Sequence, residues 1–238
     1  AFRRRSVSGG KEGMRLIMEN KKKQKKTYKK VTKNKAKEIA DILFDYYSDA
    51  KCGLDFNNNI ELVVALILAA QCTDARVNII RPKLFEKYDD VYKLSKAKLE
   101  DIEKIIKPCG FYKNKALNIL KTSQKIVNDF DGKVPDNMDD LCSLYGIGRK
   151  SANIILQECF SKTVGIAVDT HVTRISRKIG LSNSNTPLKI EQDLLKTFDK
   201  KYWTKLNHVL VVHGRNICIA RRPKCDICPI NKLCNKND

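Results

Sequence analysis

Apolar residues return every three or four positions through most of the chain after Asn34. This spacing places them on one face of an α-helix. It predicts helices in the windows NKAKEIADILFDYYSD, IELVVALILAAQCTDARVNIIRPKLFEKY, KAKLEDIEKIIKPCG, KNKALNILKTSQKIVNDF, DNMDDLCSLY, RKSANIILQECF, THVTRISRKIG, PLKIEQDLLKTF and KYWTKLNHVLVVHGRN. No window alternates convincingly with period two, so we predict an all-α fold. Gly110, Gly132 and Gly180 stand where helices should end.

The chain has 238 residues, enough for one large domain or two small lobes. No stretch approaches eighteen consecutive apolar residues, so we expect no membrane span. Lys and Arg outnumber Asp and Glu by 47 to 27, a formal net charge of +20. This excess favours a polyanionic partner, and nucleic acid is the first candidate.

The charge is concentrated at the start of the chain. Residues 1–33 carry thirteen Lys or Arg against two Glu and lack periodic apolar residues. We predict a disordered basic arm there, because such a segment repels itself and has nothing to bury. The SVSGG stretch within it is consistent with a processed leader or a cloning remnant. A basic domain remains when the arm is ignored.

The cysteines fall into two groups. Their number, nine, is odd, and no apolar signal segment accompanies them, so we expect a reducing intracellular setting, the cytoplasm or nucleoid if the source is bacterial. Five lie scattered in apolar patterns and are predicted to be buried thiols: Cys52, Cys72, Cys109, Cys142 and Cys159. The other four form a cluster within CIARRPKCDICPINKLC: Cys218, Cys225, Cys228 and Cys234. Four thiolates suit either zinc or an iron-sulfur cube.

A short turn, LYGIGRKSA, separates two helical windows at residues 144–152. Gly146 and Gly148 permit unusual backbone angles and leave the peptide N–H groups around Ile147 uncovered, while the next helix presents its positive end. Such a turn can bind a phosphate through its backbone. An ordinary helix-to-helix turn would have the same composition.

Several motifs together extend this interpretation. LYGIGRKSA, then AVDTHVTR, then HGR followed by Cys-x6-Cys-x2-Cys-x5-Cys closely resembles the helix-hairpin-helix DNA glycosylases of the endonuclease III type. The resemblance runs from NKAK at residue 34 to Cys234, through AAQCTD and GFYKNKA. Tyr145 and Ser151 replace the usual Pro and Thr of that family.

The resemblance implies two catalytic residues. Lys150 matches the lysine that attacks the anomeric carbon of the sugar, displaces the damaged base and forms a Schiff base. The positive helix end and the neighbouring Arg149 both favour a neutral, nucleophilic amine. Asp169 matches the aspartate that faces this lysine and stabilises the cationic transition state. Asp169 also precedes a helix and is expected to cap it.

The resemblance also implies the DNA contacts. Gln71 and Phe111 match residues that enter the duplex, where one fills the gap left by the extruded nucleotide and the other wedges the opposite strand. For Phe111, core packing is the alternative. The hairpin residues Gly146, Ile147, Gly148 and Arg149 should bind phosphate. We expect His171 and Arg174 to line the cleft or bind phosphate.

The cysteine cluster is identified through the same resemblance. Its spacing is similar to the 4Fe-4S site of that family, whereas zinc modules usually pair two Cys-x2-Cys knuckles across a longer gap. A 4Fe-4S cluster is therefore the expected cofactor. The loop carries Arg221, Arg222 and Lys224 between its first two cysteines, and the cluster should shape them into a surface that faces phosphate.

The resemblance implies a two-lobed fold. A six-helix barrel is expected over residues 54–162, with a second lobe made from residues 34–53 and 163–238 that holds the cluster loop, 218–234. The expected function is excision of oxidised pyrimidines from double-stranded DNA, followed by β-elimination at the abasic site, by a monomer without membrane contact.

Three alternatives stay open. A mismatch adenine glycosylase of the same fold has a Glu where Leu66 stands here, and it lacks the lysine of GRK. Thymine or uracil glycosylases of this fold also lack that lysine. A non-catalytic helix-hairpin-helix module would only bind DNA.

Overall fold

The computed structural model describes residues 29–235. All regular secondary structure within this range is helical, which confirms the all-α prediction. The α-helices are α1 Lys33–Tyr46, α2 Asn59–Ala69, α3 Asp74–Lys87, α4 Val91–Ser95, α5 Leu99–Ile106, α6 Tyr112–Asp129, α7 Met138–Cys142, α8 Arg149–Phe160, α9 Thr170–Ile179, α10 Pro187–Thr197 and α11 Lys200–Asn216. Two short 3-10 turns follow, Cys225–Ile227 and Asn231–Leu233.

Side-chain caps set the start of several helices. The side chains of Thr32, Asn58, Thr73 and Asp169 each accept a hydrogen bond from the backbone N–H three residues later. Each cap satisfies one of the amide groups that has no partner inside its helix. The Thr73 cap divides the long predicted window at residues 60–88 into α2 and α3, which meet at Gln71.

The three glycines expected at helix ends behave differently. Gly180 ends α9 with a φ of 90°, and Gly132 follows α6 with a φ of 74°. At the third position the left-handed residue is Phe111, not Gly110, with a φ of 57°. A large side chain therefore takes the conformation that glycine adopts most readily.

Buried apolar residues form two separate clusters. The first core lies among α2 to α8 and includes Leu62, Ile119 and Ile155. The second lies among α1, α9, α10 and α11 and includes Leu43 and Ile175. The second core thus combines the first helix of the chain with its last helices, since α1 packs on α11.

The connection between α8 and α9 joins the two cores. Ala167 belongs to the first core, whereas its neighbours Ile166 and Val168 belong to the second. Alternate side chains of an extended segment point to opposite sides. Residues 166–168 therefore lie along the seam between the cores and lead directly to Asp169.

The residues before α1 already contact the second core. The backbone N–H of Val31 donates to Gly180 O at 3.0 Å, and Lys30 Nζ lies 3.2 Å from Asp193 Oδ1. Lys30 and Val31, which lie within the predicted basic arm at residues 1–33, thus make ordered contacts. The rest of that predicted arm, residues 1–28, lies outside the described residues.

The free cysteines outside the cluster differ in burial. Cys109 is buried, Cys52, Cys72 and Cys159 are partly buried, and Cys142 is exposed. The prediction of a buried thiol is wrong for Cys142 because α7 is short and turns this residue away from the core. None of the helices over residues 29–235 is long and apolar enough to cross a membrane.

Candidate DNA-binding and catalytic site

A helix-hairpin-helix element is formed by α7, residues 143–148 and α8. Gly146 adopts a φ of 80°, which glycine tolerates more readily than residues with a side chain. Ile147 is buried, so its side chain anchors the turn in the first core, and its backbone N–H donates to Leu144 O at 3.2 Å. Thr122 Oγ1 on α6 donates to Tyr145 O at 2.9 Å and supports the turn from behind. Gly148 is the N-cap of α8, and a Cβ added there would meet no other atom within 4 Å.

Lys150 is exposed in the first turn of α8. Its neighbour Arg149 is bound to Glu191 on α10, with Arg149 Nε 2.6 Å from Glu191 Oε2 and Arg149 Nη2 3.3 Å from Glu191 Oε1. The hydrogen bond to Glu191 raises the pKa of Arg149 above its ordinary value. The positive charge beside Lys150 is thus compensated by a carboxylate. Sequence reasoning did not include this partner, and phosphate binding by Arg149 stays a prediction.

Glu191 is buried at the seam between the two cores. Asn153 on α8 donates its Nδ2–H to Glu191 Oε1 at 2.9 Å. A Cβ at Gly165 would overlap both Glu191 Oε1 and the side chain of Asn153. Glycine at this position therefore leaves room for the carboxylate, and it brings the segment that leads to Asp169 next to the start of α8.

Asp169 occupies the N-cap of α9. Its Oδ1 accepts the backbone N–H of Val172 at 2.8 Å, and its carbonyl accepts that of Thr173 at 2.8 Å. Two residues earlier, Asn207 Nδ2 donates to Ala167 O at 2.6 Å within the protein interior. Both α9 and the segment before it thus hold the partly buried Asp169 carboxylate in position.

Gln71 and Phe111 lie on adjacent turns. Both have left-handed backbones, with φ values of 54° and 57°, and both are exposed, Phe111 by 66%. A Cβ at Gly110 would lie 3.9 Å from Gln71 O, in ordinary contact. The structure therefore places the two turns side by side, and both side chains are exposed there. The high exposure of Phe111 excludes the core-packing alternative.

His171 and Arg174 are partly buried on α9. Arg174 Nη2 donates to Gly214 O at 3.0 Å and to Cys218 O at 2.7 Å, and it lies 3.3 Å from His171 Nδ1. Arg174 therefore ties the end of α11 and the first cysteine of the loop to α9. That His171 and Arg174 line the cleft or bind phosphate stays a prediction. The sequence carries no signal for the contacts by which Arg174 holds α11 and the loop.

The four clustered cysteines line one cavity. Its walls also include Ile179, Ile217 and Ile230. Within residues 29–235, no three His, Cys, Asp or Glu side chains converge closely enough to hold a single metal ion. Four thiols spaced around an apolar cavity fit the donor set of a 4Fe-4S cluster, which needs four separate thiolates.

His213 packs behind this cavity. Its Nε2 lies 3.8 Å from Cys228 Sγ, and its Nδ1 lies 3.1 Å from Tyr47 Oη. Burial and the nearby Arg174 lower the pKa of His213 to about 4. The position of His213 against Cys228 and Tyr47 therefore supports the loop from the interior.

The basic residues of the loop are exposed: Arg221, Arg222 and Lys224. Just before the loop, Arg215 Nη1 lies 2.7 Å from Asp74 Oδ2 at the start of α3. Both residues stand inside motifs that the sequence displays, HGR and AAQCTD, yet their pairing across the two cores was missed. It is visible only when the ends of α3 and α11 are seen together.

Two parts of the chain match known protein families. Residues 64–200 match the family described as HhH-GPD superfamily base excision DNA repair protein, and residues 218–234 match the iron-sulfur binding domain of endonuclease III. The protein is thus a DNA glycosylase of the helix-hairpin-helix superfamily and binds a 4Fe-4S cluster, as the sequence predicted.

Several known proteins of this class are similar to the chain over most of its length. Endonuclease III of Synechocystis sp. is 43% identical over 85% of this chain and 92% of its own length. That of Bacillus subtilis is 40% identical over 82% and 90%. A solved trapped endonuclease III-DNA covalent intermediate superposes with a TM-score of 0.82 at 37% identity, covering 87% of this chain and 97% of that chain. The chain belongs to the endonuclease III family of base excision repair enzymes.

Proposed function

We propose that this enzyme excises oxidised pyrimidines, of the thymine glycol type, and then cleaves the strand at the resulting abasic site. The observation that carries the proposal is the placement of Lys150, exposed at the first turn of α8, directly after a hairpin suited to phosphate. The seam that holds Arg149 also brings in the segment ending at Asp169. These two observations support a site in which Lys150 supplies the nucleophile and Asp169 supplies the carboxylate.

The reaction begins at the sugar of the extruded nucleotide. The Lys150 amine bonds to the anomeric carbon as the glycosidic bond breaks, and the base leaves with that electron pair and a proton. Opening of the sugar ring produces a Schiff base. Loss of a 2′ proton then expels the 3′ phosphate, and water finally releases Lys150. Asp169 stabilises the positive charge that develops on the sugar and takes up a proton.

The DNA-binding surface is proposed to combine three elements. The hairpin residues Gly146, Ile147 and Gly148 contact phosphate through the backbone of the turn. Gln71 and Phe111 enter the duplex where the nucleotide has left it. The basic loop contacts the backbone on the other side of the cleft. The substrate is duplex DNA inside the cell, and the enzyme acts on it as a monomer.

One activity panel tests the proposal. Duplexes carrying thymine glycol, dihydrouracil, uracil, an abasic site or adenine opposite 8-oxoguanine are incubated with enzyme, with and without borohydride. We expect excision of the oxidised pyrimidines, and a trapped adduct that disappears in Lys150→Gln. Excision of only adenine or uracil, without trapping, would assign the protein to another branch of the superfamily. DNA binding without any excision would contradict an enzymatic role.

A further inference from the structure

The residues proposed to enter DNA have strained backbones. Gln71 and Phe111 are two of four non-glycine residues with positive φ among those described, with Asp131 and Ser161. Such a conformation is unfavourable for a residue with a side chain, and it persists only where the surrounding structure imposes it. Something in the fold must therefore hold both turns.

Lys115 contacts the first of these turns from the interior. Its side chain is buried, with only 4% of the residue exposed, and its Nζ donates to Leu68 O at 2.8 Å. Leu68 lies in the last turn of α2, where carbonyl groups have no partner within the helix. A lysine there satisfies a helix end and suits its negative dipole. Gln71 follows three residues after Leu68.

The same lysine belongs to the second turn. Lys115 lies in the first turn of α6, and its backbone N–H donates to Phe111 O at 3.2 Å. One residue thus makes a hydrogen bond to the helix end before Gln71 and another to Phe111 itself. On the outer side, Arg76 Nη1 lies 3.4 Å from Pro108 O and connects the same two turns more weakly.

Burying a lysine side chain is unfavourable unless its amine is used. An apolar residue would fill this position in the first core equally well, so the hydrogen bond to Leu68 has to account for the choice. We propose that Lys115 is a positioning residue for nucleotide extrusion, which holds Gln71 and Phe111 as one rigid two-pronged wedge. This inference rests on the proposed function, because it assigns Lys115 to the step that precedes attack by Lys150.

A mutant cycle separates positioning from general support of the fold. The excision rate under single-turnover conditions is measured on a duplex with a paired thymine glycol, for the parent, Lys115→Met, the double variant Gln71→Ala/Phe111→Ala, and the triple variant. Met keeps the length of the side chain and removes the donor. If Lys115 acts through the wedge, Lys115→Met slows the parent roughly tenfold or more but slows the double variant less than about twofold.

Controls exclude a loss of folding. Lys205→Met removes a lysine on α11 that also donates to a carbonyl, Ser48 O at 2.7 Å, and it should leave excision unchanged. Lys115→Arg keeps a donor and should restore most of the rate. Thermal melting reports folding for each variant. If Lys115→Met does not fold, Lys115→Gln takes its place in the cycle, because its shorter side chain cannot place a donor at the same distance from Leu68 O.

The outcomes are distinct. Equal slowing of the parent and of the double variant would overturn the positioning role and leave Lys115 as a structural residue. An unchanged rate in Lys115→Met would overturn it as well. Absence of excision by the parent enzyme itself would instead contradict the proposed function.

Discussion

Arg149 on α8 pairs with Glu191 on α10, and this pair joins the two hydrophobic cores directly beside Lys150. The carboxylate is 4% exposed and the guanidinium 45%. Because Glu191 also accepts from Asn153 and fits against Gly165, three other positions meet at this one buried charge. The orientation of the hairpin relative to the Asp169 segment therefore depends on this carboxylate.

Removing the charge of Glu191 should destabilise the fold. We expect Glu191→Gln to lower the free energy of unfolding by about 1–2 kcal/mol, because a buried charged acceptor is replaced by an amide while Arg149 stays in place. Urea denaturation measures the change. Asp89→Asn removes an exposed ion pair with Lys93 and is the control, which should melt like the parent. Equal effects in both variants would contradict a special role for the seam.

Substitutions of Lys150 and Asp169 should impair different steps of the reaction. Lys150→Gln is expected to bind damaged DNA almost normally and to abolish both strand cleavage and the borohydride adduct, since the amine itself is bonded to the sugar. Asp169→Asn keeps the oxygen that caps α9, so it should melt close to the parent.

Excision by Asp169→Asn should nevertheless fall by roughly two orders of magnitude or more, because a carboxylate aimed at a developing cation contributes a few kcal/mol. Trapping on an abasic duplex, which has already lost its base, should be impaired less. Equal losses on both substrates, or surviving adducts in Lys150→Gln, would show that the roles are wrongly assigned.

Loss of one cluster cysteine should affect the loop more than the first core. The parent protein should be brown and contain about four irons per chain. Cys225→Ala should lose iron, together with solubility or DNA affinity. Cys142→Ala changes an exposed cysteine outside the loop and should keep the colour and the iron. A colourless, active preparation with one zinc per chain would contradict the assignment.

Removal of residues 1–28 should weaken non-specific binding alone. This segment carries ten Lys or Arg and two Glu. The slope of log affinity against log salt should become shallower by about 0.9 for each phosphate that the shortened protein no longer neutralises. The single-turnover excision rate with enzyme in excess should be unchanged. Loss of the chemistry in the shortened protein would assign the segment a role at the active site.

Acid should weaken the contact between α8 and α11. A hydrogen bond with His208, 3.1 Å away, lowers the pKa of Glu158 below its ordinary value of 4.5. The unfolded chain therefore binds more protons than the folded protein in this range. The stabilisation by the Glu158–His208 contact is fully present above about pH 4.5 and is lost as the pH falls through the lowered pKa. In Glu158→Gln, the free energy of unfolding should vary less between about pH 3 and pH 6. An unchanged dependence would exclude this contribution.

Local patterns were sufficient to predict much of this molecule. The helical periodicity, the caps, and the spacing of Cys218, Cys225, Cys228 and Cys234 are properties of short segments, so the all-α class and the cofactor followed from the residues and the resemblance they carry. The hairpin could also be located, because its glycines mark a tight turn wherever it is placed in space.

Only the tertiary structure decided which partners meet. Glu191 stands 42 residues after Arg149, and Leu68 stands 47 residues before Lys115. No periodicity encodes such distances, since they depend on how separate helices pack. The left-handed backbone of Phe111 also depends on tertiary packing, because neighbouring residues impose a conformation that Phe does not prefer. The sequence by itself therefore determined the elements and the candidate chemistry, while packing decided which charges are compensated and which side chains are held in place to act.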